Sequence, residues 1–480
     1  MDQTSVRRAA ITNLGCKVNQ SEMDDVERLL RSRGVRMVDD FQPADLVVVN
    51  TCTVTSMADQ KSRQAVRQAR RSSPNATLLV TGCSVSIDPA KVAAADPAAR
   101  LFDNESKAAM LAELDALLGP MEAGPLPTLS GIEPARAAHA PAVVVPADID
   151  RKRAVIKIQD GCDFHCTYCL IPMVRGPERS VPADQVLAEA LRAVSAGHRE
   201  VVLTGINAGT YGVAAAPPAA TPPSARGMAA APFGLGVVAA PPPATALNPN
   251  LAALVGRLLA ETRVERIRLS SIEPQHVTDE LLAVWAASDR RCQPHFHIPL
   301  QSGDDAILRR MGRRYDTAAY ARVIGRVRRA IPGAAIHLDV ITGFPGEDEA
   351  SFERTASFLQ ALEPAGVHVF RYSARPGTPA ARMIGRVDEP TVARRAAQLL
   401  SLAAGARALF ATNLLGGELR VLFERPLADG RWLGHDEHHV DVVAASPDGR
   451  PLANAIGVVI AESIDPAAPD RLVGRVLAVD

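Results

Sequence analysis

The sequence lacks any long apolar run. Its 480 residues contain no uninterrupted apolar stretch near the roughly 18 to 20 residues that a membrane-spanning helix needs. The first residues, MDQTSVRRAAITNLG, contain no apolar segment of signal-peptide length. We therefore expect a cytoplasmic protein that does not interact with a membrane.

Net charge is absent and cysteine is scarce. The chain has 53 basic and 53 acidic residues, so any contact with a nucleic acid must come from local basic patches and not from an overall field. Only 7 residues are cysteine. Because cytoplasmic thiols stay reduced, clustered cysteines indicate metal binding or catalysis and not disulfides.

Composition divides the chain into three regions. Residues 118–148 are rich in Pro, Gly and Ala without a sustained period, which is typical of a linker. Residues 213–250 have a low-complexity Ala/Pro composition, and we interpret them as a surface insertion within a folded domain. The predicted domains are residues 1–117, residues 149–405 around this insertion, and residues 406–480.

The N-terminal region alternates strand-like and helix-like segments. The runs ADLVVVN and ATLLVTG have the character of buried parallel strands, whereas SMADQKSRQAVRQARR has helical spacing, so a βαβ parallel sheet is predicted. Cys16, Cys52 and Cys83 each come just after the carboxyl end of a predicted strand. Since these ends share one edge of a parallel sheet, we expect the three thiols to converge on one site. The alternative is three buried structural cysteines.

A second group of cysteines lies in the stretch QDGCDFHCTYCLIP. Its C-x3-C-x2-C spacing places Cys162, Cys166 and Cys169 in one tight loop after a predicted barrel strand, KIQDG. Soft thiolates suit zinc, with His165 as the fourth ligand, or a 4Fe-4S cluster that keeps one iron open. The spacing alone does not choose between these metals.

The segment GCDFHCTYCLIP, with Tyr168 before its last cysteine, resembles the signature of radical S-adenosylmethionine (SAM) enzymes. The motifs NLGCKVNQSE, VVVNTCTVTSMADQKSR, VRGPERSVP, RIRLSSIEP, HIPLQSGDDAILRRMGRRY, DVITGFPGE and HVFRYSARPGTPAARM resemble, in order, those of the methylthiotransferases. This resemblance implies an α/β fold in three parts. They are an N-terminal parallel-sheet domain for a cluster, a central partial (β/α) radical SAM barrel, and a small C-terminal TRAM-like β-barrel.

The resemblance also implies the cofactors and the residues that hold them. Two 4Fe-4S clusters are expected, each with one open iron. The sulfur-delivering cluster is assigned to Cys16, Cys52 and Cys83, and the catalytic, SAM-cleaving cluster to Cys162, Cys166 and Cys169. SAM contacts are expected at Gly205, Ser271, Glu273, Gln301 and Gly343. Glu273 has an alternative role as a helix-capping or ion-pair carboxylate, and we interpret Cys292 as a structural thiol.

The motif GCKVNQ resembles the branch that acts on N6-threonylcarbamoyladenosine beside the tRNA anticodon, although Ser21 and Asn207 depart from the usual residues of that branch. The implied reaction replaces the C2 hydrogen by a methylthio group, because a radical from SAM can break a C–H bond that acid–base catalysis cannot. The expected partners are the tRNA anticodon stem-loop and a reducing electron-donor protein. The alternatives are methylthiolation of isopentenyladenosine tRNA or of a ribosomal-protein aspartate, and a noncatalytic zinc- and RNA-binding protein.

Two basic patches are candidates for contacting phosphates. The first comprises Arg309, Arg310, Arg313, Arg314, Arg322, Arg326, Arg328 and Arg329, and the second comprises Lys61, Arg63, Arg67, Arg70 and Arg71. A merely solvated helix face is the alternative for each. The C-terminal segment 417–480 has 6 basic and 11 acidic residues, so a contribution through shape, stacking or domain docking is expected there.

Overall fold

The computed structural model describes residues 6–119, 152–212 and 250–480. The expected linker and insertion lie outside the described residues except at their ends, Leu118, Gly119 and Asn250. Within the described ranges, no helix is both long and apolar enough to cross a membrane.

The N-terminal domain is a parallel five-stranded sheet in the order β2-β1-β3-β4-β5, with helices on both faces. Central strand β3 is buried along its whole length, and its alternating side chains enter two separate apolar clusters. The elements are β1 (Arg8–Asn13), α1 (Lys17–Ser32), β2 (Arg36–Met37), β3 (Leu46–Thr51), α2 (Ser56–Ser72), β4 (Thr77–Gly82), α3 (Cys83–Ile87), α4 (Pro89–Ala93), β5 (Arg100–Phe102) and α5 (Lys107–Leu118).

The central domain is an open barrel of six parallel strands. Its three-stranded sheets, β10-β9-β6 and β11-β12-β13, are joined by isolated parallel bridges between Ile267 and Cys292 and between Ser271 and His297. The elements are β6 (Arg153–Lys157), β7 (Gln159–Asp160), α6 (Ile171–Arg175), β8 (Arg179–Ser180), α7 (Ala183–Ser195), β9 (Glu200–Thr204), α8 (Leu251–Glu261), β10 (Arg266–Leu269), α9 (Asp279–Ala286), β11 (His295–His297), α10 (Asp305–Arg310), α11 (Thr317–Ala330), β12 (Ala335–Thr342), α12 (Glu349–Leu362), β13 (Gly366–Arg371) and α13 (Glu389–Asn413).

Most helices of this barrel begin at a side chain that caps them. Asp304, Asp316, Asp348 and Asp388 each accept a hydrogen bond from the backbone N–H three residues ahead, at α10, α11, α12 and α13. These caps fix where each strand-to-helix loop ends. The loops that carry the expected SAM contacts are therefore held at the carboxyl edge of the barrel.

The C-terminal domain is a closed five-stranded β-barrel in the order β14-β15-β16-β18-β17, as the fold class predicted. Its strands are β14 (Glu418–Pro426), β15 (Trp432–His435), β16 (Asp441–Ala445), β17 (Ile456–Asp465) and β18 (Ala468–Val479). The sequence indicated four of them and missed β15, which has only 4 residues between two turns. The expected boundary between residues 405 and 406 falls within helix α13.

This C-terminal barrel closes the amino edge of the central barrel. Arg266 donates to the carbonyl oxygens of Arg420 (2.9 Å) and Asp436 (2.8 Å), and Arg268 donates to that of Glu437 (3.3 Å). Both guanidinium groups also pair with the buried carboxylate of Glu200, at 2.7 and 2.9 Å. The opposite, carboxyl edge of the barrel is thus the one available for a ligand.

Candidate active site

The loop between β7 and α6 places three cysteines at the carboxyl edge of the barrel. Gly161 opens the loop with φ 74°, and a Cβ there would lie 1.9 Å from the carbonyl oxygen of Pro177. Only glycine can therefore hold this close approach. Cys162 then donates its backbone N–H to the Gly176 carbonyl (3.1 Å), which ties the start of the loop to its end.

Hydrogen-bond donors point at all three sulfurs of this loop. The backbone N–H groups of Phe164 and Ile171 reach the Sγ atoms of Cys162 and Cys169, each at 3.4 Å, and Arg313 Nη1 reaches Cys166 Sγ at 3.4 Å. Burial, together with the neighbouring thiolates, raises the pKa of Cys162 to about 11 and that of Cys169 to about 12. These thiols are thus close enough to repel one another once ionised.

The other three cysteines follow three adjacent strands of the N-terminal sheet. Cys16 precedes α1 as its N-cap, Cys52 directly follows β3, and Cys83 directly follows β4. Burial raises the pKa of Cys52, and the thiolates of Cys83 and Cys16 add to this effect.

Two serines that sequence reasoning missed fix the backbone at Cys52. Ser62 Oγ accepts from the Cys52 N–H (2.9 Å) and also contacts its carbonyl oxygen (2.9 Å), to which Ser84 Oγ donates at 2.8 Å. Ser62 lies on α2 and Ser84 lies on α3, so two helices hold the backbone of Cys52 in place. No spacing in the sequence indicates this arrangement.

The helices next to Cys83 and Cys169 meet where the N-terminal sheet domain contacts the barrel. Helix α3, which begins at Cys83, packs against α6, which follows Cys169. Asn104 Nδ2 bridges the two sides, because it donates to the Val174 carbonyl oxygen (2.9 Å) and lies 3.7 Å from Cys83 Sγ. The structure therefore brings both triads to one junction.

A buried arginine holds this junction together. Arg175, at the end of α6, donates to Asp160 Oδ1 (2.9 Å), Glu22 Oε1 (3.2 Å) and the side chain of Asn19. Glu22 also pairs with Lys157 (2.9 Å) and with Lys107. Burial opposes ionisation of Glu22, but these surrounding cations outweigh it and lower its pKa.

The five expected SAM contacts all lie beyond the carboxyl ends of barrel strands. Gly205 directly follows β9, where a Cβ would lie 2.9 Å from Gln159 Oε1. Ser271 Oγ hydrogen-bonds to His297 Nδ1 at 2.9 Å. Gln301 has φ 72°, and its backbone pairs with that of β12 through Asp339 and Ile341.

The remaining two expected contacts have structural partners. Glu273 forms an ion pair with Arg313. This contact matches the alternative to a SAM contact that the sequence left open for Glu273, an ion-pair carboxylate. Burial raises the pKa of Glu273, although Arg313 opposes the shift. Gly343 has φ 80°, and a Cβ there would lie 2.5 Å from Val392 on α13, so this glycine packs against a helix.

Only part of each basic patch is available to a ligand. In the first patch Arg313 is engaged by Glu273, Arg326 pairs with Asp279 (3.0 Å), and Arg328 donates to carbonyl oxygens. In the second patch Arg63 pairs with Asp59, and Arg70 pairs with Asp96 (2.6 Å). Arg310 is exposed but donates to the carbonyl oxygens of Pro345 (3.0 Å) and Ile384 (3.3 Å). The exposed side chains for which the described part of the chain shows neither an ion pair nor a hydrogen bond are those of Arg309, Arg314, Arg322, Arg329, Lys61, Arg67 and Arg71.

The donor set fits iron–sulfur clusters at both triads. Each triad supplies three thiols and leaves one metal position without a protein thiol, and N–H donors already point at the loop sulfurs. A buried thiolate without a cation is costly, as the raised pKa values of Cys162 and Cys169 indicate, and a bound metal removes that cost. The seventh cysteine, Cys292, is packed in the apolar core with its pKa raised by burial to about 12.

Two known families match this chain in the regions that carry the triads. Residues 8–102 match the Uncharacterized protein family UPF0004, and residues 156–359 match the Radical SAM superfamily. The first range contains Cys16, Cys52 and Cys83, and the second contains the C-x3-C-x2-C loop.

Several curated proteins are similar to the chain over most of its length. The Threonylcarbamoyladenosine tRNA methylthiotransferase MtaB of Bacillus subtilis is 35% identical, with 90% of this chain and 89% of that protein covered. The protein of the same name from Thermotoga maritima is 32% identical, with 91% of each covered. The tRNA-2-methylthio-N(6)-dimethylallyladenosine synthase of Maricaulis maris is 31% identical, with 88% of each covered.

Among solved structures, the radical S-adenosylmethionine methyltransferase TsrM of Kitasatospora setae has a similar fold. Its TM-score is 0.52 at 15% identity, and the match covers 78% of this chain and 77% of that chain. At this identity the likeness concerns the fold alone. It agrees with the expected radical SAM barrel.

Proposed function

Because this chain belongs to the radical SAM tRNA methylthiotransferase family, we propose that it methylthiolates C2 of N6-threonylcarbamoyladenosine next to the tRNA anticodon. The observation that carries the proposal is the junction at which two cysteine triads meet through α3 and α6. A reaction that joins sulfur to carbon needs its two metal centres near one substrate atom. An interface of this kind supplies that proximity.

The enzyme uses SAM and 4Fe-4S clusters, as its family implies. We assign one cluster to Cys162, Cys166 and Cys169, and the other to Cys16, Cys52 and Cys83. When bound, the first supplies the electron for reductive SAM cleavage and the second supplies the sulfur. The residues of the chain hold these groups in place, and Arg313, Phe164 and Ile171 orient the sulfurs of the loop.

SAM contacts are proposed at the carboxyl edge of the barrel. Gly205, Ser271 and Gln301 lie in turns after the carboxyl ends of barrel strands, while Glu273 and Gly343 support the same edge through Arg313 and α13. The absence of a Cβ at Gly205 lets Gln159 and Ala208 pack closely against this turn. Mutating Ser271 should therefore affect SAM affinity more than mutating Gly343 does.

The proposed partners are a tRNA anticodon stem-loop and a reducing electron-donor protein, in the cytoplasm. Phosphate contacts are assigned to the unpaired arginines and lysine of the two basic patches, because a planar guanidinium donates two hydrogen bonds to a phosphate. The acidic C-terminal barrel is assigned to docking, since its loop residues bind Arg266 and Arg268. We retain the three domains 1–117, 149–405 and 406–480 as a proposal.

A pair of triple variants tests the division of labour between the triads. Changing Cys16, Cys52 and Cys83 to Ala should roughly halve bound iron and abolish the methylthio product, while reductant-dependent release of deoxyadenosine from SAM continues. Changing Cys162, Cys166 and Cys169 to Ala should abolish both. Cys292→Ala is the matched control and should keep both activities. Methylthio product from the N-terminal triple variant would refute the assignment.

A second candidate substrate is N6-isopentenyladenosine, which is favoured by the 31% identity to the Maricaulis maris protein named for that nucleoside. Mass spectrometry of tRNA nucleosides from cells with and without the protein separates the two. Loss of the methylthio derivative of threonylcarbamoyladenosine supports our proposal, and loss of the isopentenyl derivative overturns it. Anaerobic metal analysis that found zinc and little iron would instead favour a noncatalytic zinc protein.

A further inference from the structure

Two histidines and an aspartate form a cluster on the sheet of β11, β12 and β13. Its members are His297 at the end of β11, Asp339 in β12 and His368 in β13. Asp339 and His368 are direct partners in the parallel register, and His297 pairs with His337, two residues before Asp339. Because side chains alternate along a strand, the three side chains leave the same face of the sheet. None of them has a role in the proposed reaction.

Three possible ligand atoms converge in this cluster. His297 Nε2 lies 2.8 Å and His368 Nδ1 lies 3.1 Å from Asp339 Oδ1, and all three atoms are within 4.8 Å of one another. In a site with metal–ligand bonds of about 2.0–2.2 Å, adjacent ligand atoms are roughly 3 Å apart. The spacing therefore fits a single metal ion after small side-chain adjustments.

The Asp339 carboxylate has no cationic side chain beside it. It is 17% exposed, and in the described ranges neither a lysine nor an arginine pairs with it. Both histidines contact the same oxygen, Oδ1, and no described group donates to Oδ2. A neutral histidine supplies a hydrogen bond but no charge. A bound cation would therefore stabilise this largely buried carboxylate more than its present partners do.

A second cluster of histidine and carboxylates, in the C-terminal barrel, lacks this feature. Asp436, Glu437 and His438 are equally close together. The two oxygens of Asp436 accept from the N–H (3.0 Å) and from Nδ1 (2.9 Å) of His438, and those of Glu437 accept from Arg290 (2.6 Å) and from the Arg420 N–H (2.6 Å). Donors of the protein thus satisfy every carboxylate oxygen of this second cluster.

The ring of His297 is held by a partner on its other nitrogen. Ser271 Oγ lies 2.9 Å from His297 Nδ1. A proton on Nδ1 would donate to Ser271 and leave Nε2 unprotonated and directed at Asp339, which is the tautomer that binds a metal. Histidine ligands almost always donate their second ring N–H in this way. Ser271 therefore supplies the support that a metal-binding histidine needs.

The cluster is accessible and would leave an ion incompletely coordinated. The side chain of His368 is 57% exposed, whereas those of His297 and Asp339 are 17% exposed. Three protein ligands leave at least one coordination position for water or another oxygen ligand. Imidazole ligands favour zinc and similar first-row ions, whereas Ca²⁺ and Mg²⁺ prefer sites built from oxygen.

We propose that His297, Asp339 and His368 bind one Zn²⁺ or a similar first-row divalent ion. The site contains no sulfur ligand, so it is a metal centre additional to the two cysteine triads. Its ligands come from neighbouring strands of one sheet, so their backbone is fixed before the ion binds. The identity of the tRNA substrate does not affect this assignment.

Zinc binding to the full-length, cluster-loaded protein tests the proposal. The protein is titrated anaerobically with zinc chloride in competition with a chromophoric zinc indicator. Zinc and iron are then counted by mass spectrometry, and X-ray absorption at the zinc edge identifies the ligands. The wild type should bind about one zinc ion, with bonds of about 2.0–2.2 Å to nitrogen and oxygen and no bond to sulfur at about 2.3 Å. Its iron content should not change.

Three variants locate the zinc site. His368→Ala removes an exposed ligand and should lower the zinc affinity more than about 100-fold, since loss of an outer partner alone costs about 10- to 100-fold. Ser271→Ala removes such an outer partner and should lower the affinity by about 10- to 100-fold. His438→Ala is the matched control, because His438 also contacts a carboxylate, and it should keep the wild-type affinity.

Two kinds of result would overturn the proposal. One is a wild type that binds no zinc, or whose zinc is bound to sulfur and therefore sits at the cysteines. The other is a His368→Ala protein that keeps the wild-type zinc affinity. The methylthio product measured on the same samples reports on the proposed function separately, because the two cysteine triads do not include these ligands.

Discussion

At the residue scale, Arg313 is the side chain on which the cysteine loop depends most. It is 3% exposed, pairs with Glu273, and donates to Cys166 Sγ at 3.4 Å. Arg313→Met would leave the Glu273 carboxylate buried without its cation, so we expect a loss of about 3–5 kcal/mol in the free energy of unfolding. Urea denaturation measured anaerobically gives this value.

The double variant Arg313→Met/Glu273→Gln is the control for this prediction. It removes both charges, so it should recover a large part of the stability lost in the single variant. The iron content should fall in both variants, because Cys166 loses its donor in each. A single variant as stable as the double one would contradict the view that Glu273 is an ion-pair carboxylate.

How far the sequence predicts individual residues depends on how local their geometry is. The positions of Cys16, Cys52 and Cys83 beyond strand ends followed from periodicity alone, because parallel strands end at a common edge. The pairing of Glu273 with Arg313 did not, since 40 residues separate them and arginines are common in that stretch.

At the element scale, the turn at the end of β12 depends on Gly343. Its φ is 80°, and a Cβ there would lie 2.5 Å from Val392 on α13. Gly343→Ala should therefore lower the free energy of unfolding by about 1–3 kcal/mol through backbone strain, with the steric contact adding to it. Thermal unfolding of the two proteins measures the difference.

Gly256 in helix α8 is the matched control, because nothing lies within 4 Å of the position of its Cβ and its φ is not left-handed. Gly256→Ala should raise stability by roughly 0.5–1 kcal/mol, as expected for alanine in a helix interior. If both alanine variants shifted stability in the same direction, the strain assigned to the β12 turn would be wrong.

The contact of α1 with β6 should depend on pH through Glu22. Its pKa is lowered in the folded protein, because Lys107, Arg175 and Lys157 outweigh the effect of burial. A carboxyl whose pKa falls on folding contributes stability above its ordinary value, 4.5, and loses it as the pH falls below that value. The advantage of the wild type over Glu22→Gln should thus be full at pH 7 and shrink below pH 4.5.

Urea denaturation at several pH values measures this advantage, and Glu27→Gln is the control. Glu27 pairs with Arg31 at 2.8 Å on the partly exposed face of the same helix, so its loss should cost less than about 1 kcal/mol. A Glu22→Gln protein whose deficit stays constant down to pH 4 would contradict the linkage.

Elements were predicted best where their pattern is strong. The strands ADLVVVN and ATLLVTG and the helix at Ser56–Ser72 follow from apolar runs and helical spacing, and the structure has all three. Strand β15 was missed because 4 residues between two turns show too little alternation to be recognised. The expected domain boundary between residues 405 and 406 falls inside α13, because the helix continues through these residues without a break.

At the scale of the whole molecule, the N-terminal and C-terminal domains cover the central barrel from different sides. The N-terminal domain covers its open side through α1 and meets its carboxyl edge through α3, while the C-terminal barrel covers its amino edge. The sequence indicated the identity of the three parts. It could not indicate their arrangement, because the groups that Arg175 and Arg266 contact in the other domains, Glu22 and the Asp436 carbonyl oxygen, lie 153 and 170 residues away in the sequence.

Glu200 is the residue on which the attachment of the C-terminal barrel should depend. Its buried carboxylate holds Arg266 and Arg268 in the orientation that lets them donate to the carbonyl oxygens of Asp436 and Glu437. Glu200→Gln would leave two guanidinium groups buried without a counter-charge. We expect a loss of about 3–5 kcal/mol in unfolding free energy. Limited proteolysis should also release the C-terminal barrel more readily, by cleavage near the end of α13.

Glu265→Gln, which removes the half-exposed partner of Arg199, should cost less than about 1 kcal/mol in unfolding free energy and leave the proteolytic pattern unchanged. If Glu200→Gln lost stability without faster release of the barrel, the carboxylate would stabilise the central domain alone, and the docking role of the two arginines would have to be abandoned.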